Sequence, residues 1–247
     1  MTDGIALSFV LLERPEYPDL AACVRVAAEL GLELRPEPSP AEGPISFALA
    51  GSGTVMVMLI QAPHPDAPHM PLGLASPTEE ELERVQAHYI VTAMDLPGDP
   101  RTRDPMLAAL TAAIAASSPA VAVMLGTGVV FHRADFFLDV VRSAEGDLPM
   151  LVCIDVTQAA EDDERMSILT HGLQRYGREE FFVTCSQEGT GALDFVLSLA
   201  GWMLDDPEKD LPTGETVGRS AEEKITIQRV PSPLGEGPDV IRLDLDV

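Results

Sequence analysis

The sequence predicts an α+β protein, with mixed and largely antiparallel sheets covered by helices. Three observations carry that expectation. Apolar, β-branched runs of strand length recur along the chain; they come in clusters between single helices; and Pro/Gly clusters separate them where a doubly wound sheet would alternate strand and helix. With 46% hydrophobic content over 247 residues, the chain can bury a substantial core, as one compact domain or as two packed halves, 1–77 and 78–247.

Ile5 to Leu12 is a continuous apolar run, and Leu20, Cys23, Val24, Ala27 and Ala28 then repeat at helical spacing up to Gly31. Leu32 to Leu34, Ile45 to Leu49 and Thr54 to Ile60 read as strands, followed by an irregular connector over residues 62–77 that holds prolines 63, 65, 68, 71 and 77. Thr78 with Glu81 three residues on is a capping box that opens a short helix. His88 to Met94 is a strand, Asp104-Pro105 opens an alanine-rich helix, and Val121 to Leu125 returns as a strand. Phe131 to Val141 groups Phe136, Phe137, Val140 and Val141 on one helical face. Met150 to Val156 and Met166 to Leu173 read as a hairpin whose tip is Glu161-Asp-Asp-Glu164. Phe181 to Cys185 is a strand, Leu193 to Leu204 an amphipathic helix carrying Trp202, and the tail adds a last set of strands.

Charge narrows the partners. The chain has 40 acidic against 16 basic residues, a net charge of -24. Binding a phosphate backbone needs a basic footprint, so no nucleic acid partner is expected, and an anionic membrane surface is disfavoured for the same reason. The partner that such a charge favours is a basic protein. The opening residues lack a basic region and the apolar run stops at Glu13-Arg14, so no signal peptide is expected. Three cysteines, at 23, 153 and 185, sit in apolar segments and read as buried thiols of a cytoplasmic protein.

The tail is the most distinctive part of the chain. It runs from Gly214 to Lys224, through Ile225-Thr-Ile-Gln-Arg-Val230 and Pro231-Ser-Pro-Leu234, and ends in Ile241-Arg-Leu-Asp-Leu245. Together with His88-Tyr-Ile-Val-Thr92 and the turn Gly126-Thr-Gly128 ahead of Phe131, it resembles the bacterial family catalogued as domain of unknown function 4261. The resemblance implies a shared scaffold and assigns no reaction, cofactor or substrate.

Gly126-Thr-Gly128 and Gly189-Thr-Gly191 each follow a strand and precede a helix, but both lack the further glycine or lysine of a nucleotide loop and read as ordinary turns. His64 and His69 flank Asp66 on a proline-laden loop with no third ligand, so no metal and no cofactor are expected. Catalytic candidates have to come from separate strands: Cys153 or Asp155 on one and His171 on its neighbour, where hairpin pairing would bring them together. Binding candidates are the acidic tip residues Glu161, Asp162, Asp163 and Glu164. The leading expectation is a non-enzymatic acidic protein-binding module, immunity-like or chaperone-like. The alternatives are a small-molecule hydrolase around Asp155 and His171, and a protein that oligomerises through strand edges.

Overall fold

The computed structural model describes residues 5–39, 43–51, 53–126, 128–186, 191–206, 208–235 and 237–245. The chain divides into two compact units, Met1–Cys153 and Ile154–Val247. The break expected after residue 77 falls inside the first unit's sheet, between strands that pair directly.

In the first unit the elements are β1 (Ile5–Leu12), α1 (Leu20–Glu29), β2 (Leu34–Pro36), β3 (Ile45–Leu49), β4 (Thr54–Ile60), α2 (Glu79–Glu83), β5 (Ala87–Met94), α3 (Pro100–Ala116), β6 (Ala120–Leu125), β7 (His132–Arg133), α4 (Ala134–Ser143) and α5 (Met150–Cys153). The strands form a sheet in the order β2-β3-β4-β5-β1-β6-β7, antiparallel at every step. β1 lies inside this sheet and is covered on both faces from Ser8 to Leu12, whereas Ile5 and Leu7 are exposed. Val10 and Leu12 belong to the core that includes Leu107, Leu110 and Ile114 of α3. Leu11 belongs to a smaller cluster with Ala67, Val85, Ala122 and Phe131. The Ser8 hydroxyl, fully buried on the α3 side, meets Thr111 Oγ1 at 2.7 Å.

Local signals explain the helix starts. Thr78 and Glu81 form the expected capping box. The alanine-rich helix starts earlier than expected: Asp99 accepts from Thr102 N at 3.1 Å and Pro100 takes the first helical position, leaving Pro105 inside the helix. The expected strand from Met150 is also corrected. Pro149 O accepts from Val152 N at 3.0 Å and Cys153 N at 3.1 Å, so this apolar stretch turns as a helix and the strand begins only at Asp155.

The second unit contains β8 (Asp155–Ala160), β9 (Arg165–His171), β10 (Phe181–Ser186), α6 (Ala192–Asp205), β11 (Thr216–Val217), β12 (Ile225–Thr226), β13 (Gln228–Val230) and β14 (Val240–Asp244). Its main sheet runs β13-β14-β10-β9-β8, with β10 and β14 parallel and the other neighbours antiparallel. Both sheets together make the α+β architecture that the strand clustering predicts. α6 packs on β10 and buries Val196, Ala200, Met203 and Leu204. The tail motif is built into this scaffold: Arg219 Nε donates to Glu223 Oε1 at 2.9 Å, and a Cβ on Gly218 would lie 2.2 Å from Glu223 O. Gly218 therefore allows two backbone segments to touch. Among the described residues no helix is long and apolar enough to cross a membrane.

Candidate functional site

The β8–β9 hairpin carries most of the sequence-derived candidates. Its register places Asp155 opposite His171, Thr157 opposite Leu169 and Ala159 opposite Ser167. Alternation along each strand puts these residues on one face of the sheet. Asp155 and His171 are thus brought together as expected. Cys153 does not lie on the strand: it ends helix α5 and is buried.

His171 is the centre of a polar cluster. Its Nε2 lies 3.0 Å from Thr157 Oγ1. Burial lowers its pKa, while the nearby Glu180 and Asp155 charges act in the opposite direction and do not overcome it. Burial therefore favours the neutral ring. Glu180, itself buried, accepts from Thr170 Oγ1 at 2.8 Å, Gly172 N at 2.8 Å and Gln174 N at 3.2 Å, and so pins the turn that follows β9. On the same sheet face, Arg165 Nη2 donates to Thr184 Oγ1 at 3.1 Å, and Thr184 in turn bonds Asp244. Thr157, Glu180 and Arg165 were not singled out from sequence. A register partner of known face was the one signal available for Thr157, and nothing local marks the other two.

The acidic tip is less uniform than its sequence. Asp162 Oδ1 accepts from Glu164 N at 2.9 Å and Arg165 N at 2.7 Å, which builds the turn. Those two amides hold its carboxyl below the usual carboxylate range. Glu161, Asp163 and Glu164 make no side-chain hydrogen bond or ion pair among the described residues, and all three are exposed. Exposure continues back through Ala160, Ala159 and Gln158, so the outer half of β8 and the tip form one accessible stretch.

β8 is also the last strand of its sheet. Glu161 N donates to Arg165 O at 2.9 Å, which sets the phase of the ladder. In the alternation of an antiparallel pair, Asp155, Thr157 and Ala159 then bond to β9, whereas Val156, Gln158 and Ala160 turn their amide and carbonyl groups away from it, at buried Val156 and at exposed Gln158 and Ala160.

The other candidates have local explanations. Gly126 N donates to Leu7 O and Gly128 N to Leu125 O, both at 2.7 Å, so these amides are occupied by the fold. Thr127 and residues 187–190, which include Gly189, lie outside the described residues. His64 packs edge-on against Phe9 and Phe131, and its Nδ1 accepts from Asp66 N at 3.3 Å. Among the described residues no group of three or more His, Cys, Asp or Glu side chains is placed to hold a metal ion.

No family model, curated protein or solved structure matches this chain.

Proposed function

We propose that this chain is a protein-binding module that takes up a basic, extended segment of a partner along β8 and at the tip beyond it. The observation that carries this reading is the continuity of an open strand edge with three uncommitted carboxylates, over Gln158 to Glu164. Gln158 and Ala160 offer the backbone pairing, which is indifferent to sequence, and Glu161, Asp163 and Glu164 select for positive charge. The small side chains of Ala159 and Ala160 leave room for an approaching strand.

The test uses a fluorescent peptide of alternating Lys and Val, an acidic Glu/Val counterpart, and affinity capture from host lysate at low and high salt. The basic peptide binds and the acidic one does not. Reversing Glu161, Asp163 and Glu164 to Lys weakens binding at low salt by on the order of 100-fold, at up to about 1 kcal/mol for each exposed pair. Ala160→Pro removes one outward N–H and weakens binding while leaving the β8–β9 ladder intact. Binding of the basic peptide that survives both changes, or equal binding of the acidic peptide, sinks the reading.

A second reading, a hydrolase, is favoured by the 3.0 Å approach of Thr157 Oγ1 to His171, with Asp155 across the register. In it Thr157 is the nucleophile, His171 the base and Asp155 the group that orients the ring. A panel of p-nitrophenyl esters tests it: turnover that disappears in both Thr157→Val and His171→Gln supports it, and turnover unchanged by Thr157→Val eliminates it.

A further inference from the structure

The first unit contains a cavity of about 660 Å³, lined by none of the candidate-site residues described above. Its size falls within the range of about 300–1,000 Å³ typical of small-molecule sites. Its floor is apolar, formed by Leu30, Leu32, Met106, Ala109 and Val141. Small residues also line it: Ala109 on α3, and Gly31, which follows α1 at φ +81.

The rim is charged, and its balance is negative. Glu29 and Arg142 lie 3.6 Å apart and offset each other. Arg101 lines the cavity from the first turn of α3, where the Asp99 carboxylate caps the helix N-terminus. Glu145 and Asp147 also line it, and their carboxylates make no hydrogen bond or ion pair among the described residues. The C-terminal ends of α1 and α4 border the same space, through Leu30 and the turn after Arg142, and add negative partial charge. An apolar floor under unpaired carboxylates and two helix C-termini suits one chemistry, an ammonium group on an apolar body.

We infer that this cavity binds a cationic amphiphile, a small amine whose ammonium meets Glu145 and Asp147 while its apolar body lies on Met106, Ala109 and Val141. This site shares no residue with the edge of β8, so either reading can fail without the other. The experiment titrates hexylamine and, in parallel, hexanoate into the ¹⁵N-labelled full chain and follows the amides of Gly31 and Gly146. Hexylamine moves these signals in a saturable way and hexanoate does not. Glu145→Gln with Asp147→Asn, both exposed positions that leave the core untouched, weakens hexylamine by about tenfold. Ala109→Leu fills the floor and abolishes binding. Equal response to hexanoate, an unchanged affinity in the double carboxamide variant, or no saturable shift with hexylamine overturns the proposal.

Discussion

Glu180 offers the most direct test of how the second unit sets up His171. Its two carboxylate oxygens face three donors: Gly172 N at 2.8 Å, Gln174 N at 3.2 Å and Thr170 Oγ1 at 2.8 Å. Thr170 Oγ1 is already an acceptor, for Phe181 N at 2.8 Å, so its proton has to go to Glu180. Only a group that accepts on both atoms satisfies this arrangement. In Glu180→Gln one oxygen can still serve the two amides, but the NH₂ then confronts Thr170 and the hydroxyl proton has no acceptor. Two charge-assisted bonds are weakened and one buried donor is orphaned, a loss of about 2–4 kcal/mol. For a chain of this size that lowers Tm by roughly 5–15 °C. A second readout separates this from simple misfolding. The Glu180 charge holds the His171 pKa up against burial, so its removal moves the His171 titration further below its ordinary value, as followed by imidazole proton NMR. Glu179→Gln is the control: that side chain is partly exposed and pairs with Arg229 at 2.7 Å, so its loss costs under about 1 kcal/mol and leaves His171 unmoved. A Glu180→Gln protein of wild-type stability, or a His171 that titrates higher, refutes the argument.

Two further predictions concern the first unit. Burial and the neighbouring His88 lower the His64 pKa, so below about pH 6.5 the unfolded chain takes up a proton that the folded chain refuses, and stability falls with pH. Relief of repulsion among 40 acidic residues acts in the opposite direction, so the effect is read as a difference: His64→Phe gains on wild type as pH drops from 7.5 to 5, by up to about 1.4 kcal/mol per pH unit in urea melts. A difference that stays flat with pH removes His64 from the account. In Gly126→Ala the new Cβ would lie 2.7 Å from Leu7 O and 2.8 Å from Leu7 Cβ, forcing β1 to shift. That crowding costs about 1–3 kcal/mol in equilibrium unfolding, and a neutral substitution there contradicts the packing explanation of the glycine turn.

What the sequence revealed of the fold depended on whether one local signal dominated. Ile5 to Leu12 is legible because burial on both faces of its second half keeps Phe9 to Leu12 apolar. Thr78 with Glu81 is legible because the cap is complete within four residues. The start of α3 is ambiguous because Asp-Pro occurs twice, at 99–100 and 104–105, and it is the first pair that caps the helix. Met150 to Cys153 is as apolar as a strand, and a single proline carbonyl decides that it turns instead. At the candidate site, hairpin length suffices to place Asp155 against His171. Thr157 requires the register, and Glu180 arrives from a turn after the strand. The cavity draws on three separate segments, so no window of sequence contains it.

The acidity itself divides by task. Asp19 accepts from Ala21 N at 2.9 Å and Ala22 N at 3.1 Å to start α1, and Asp99 and Glu81 cap α3 and α2. Asp162 builds the hairpin turn, Glu180 pins the turn after β9, and Glu223 holds the tail through Arg219. In a chain whose lysines are Lys209 and Lys224, carboxylates do much of the work of satisfying backbone amides at turns and helix starts. Net charge alone therefore overstates what is available to a partner. Glu161, Asp163 and Glu164 at the tip, and Glu145 and Asp147 at the cavity, carry no such duty among the described residues. The two groups should separate cleanly on neutralisation. Amides at the capping positions lower stability and leave charge-dependent binding to the surviving tip and cavity. Amides at the tip or the cavity leave stability within about 0.5 kcal/mol and weaken binding at that one place.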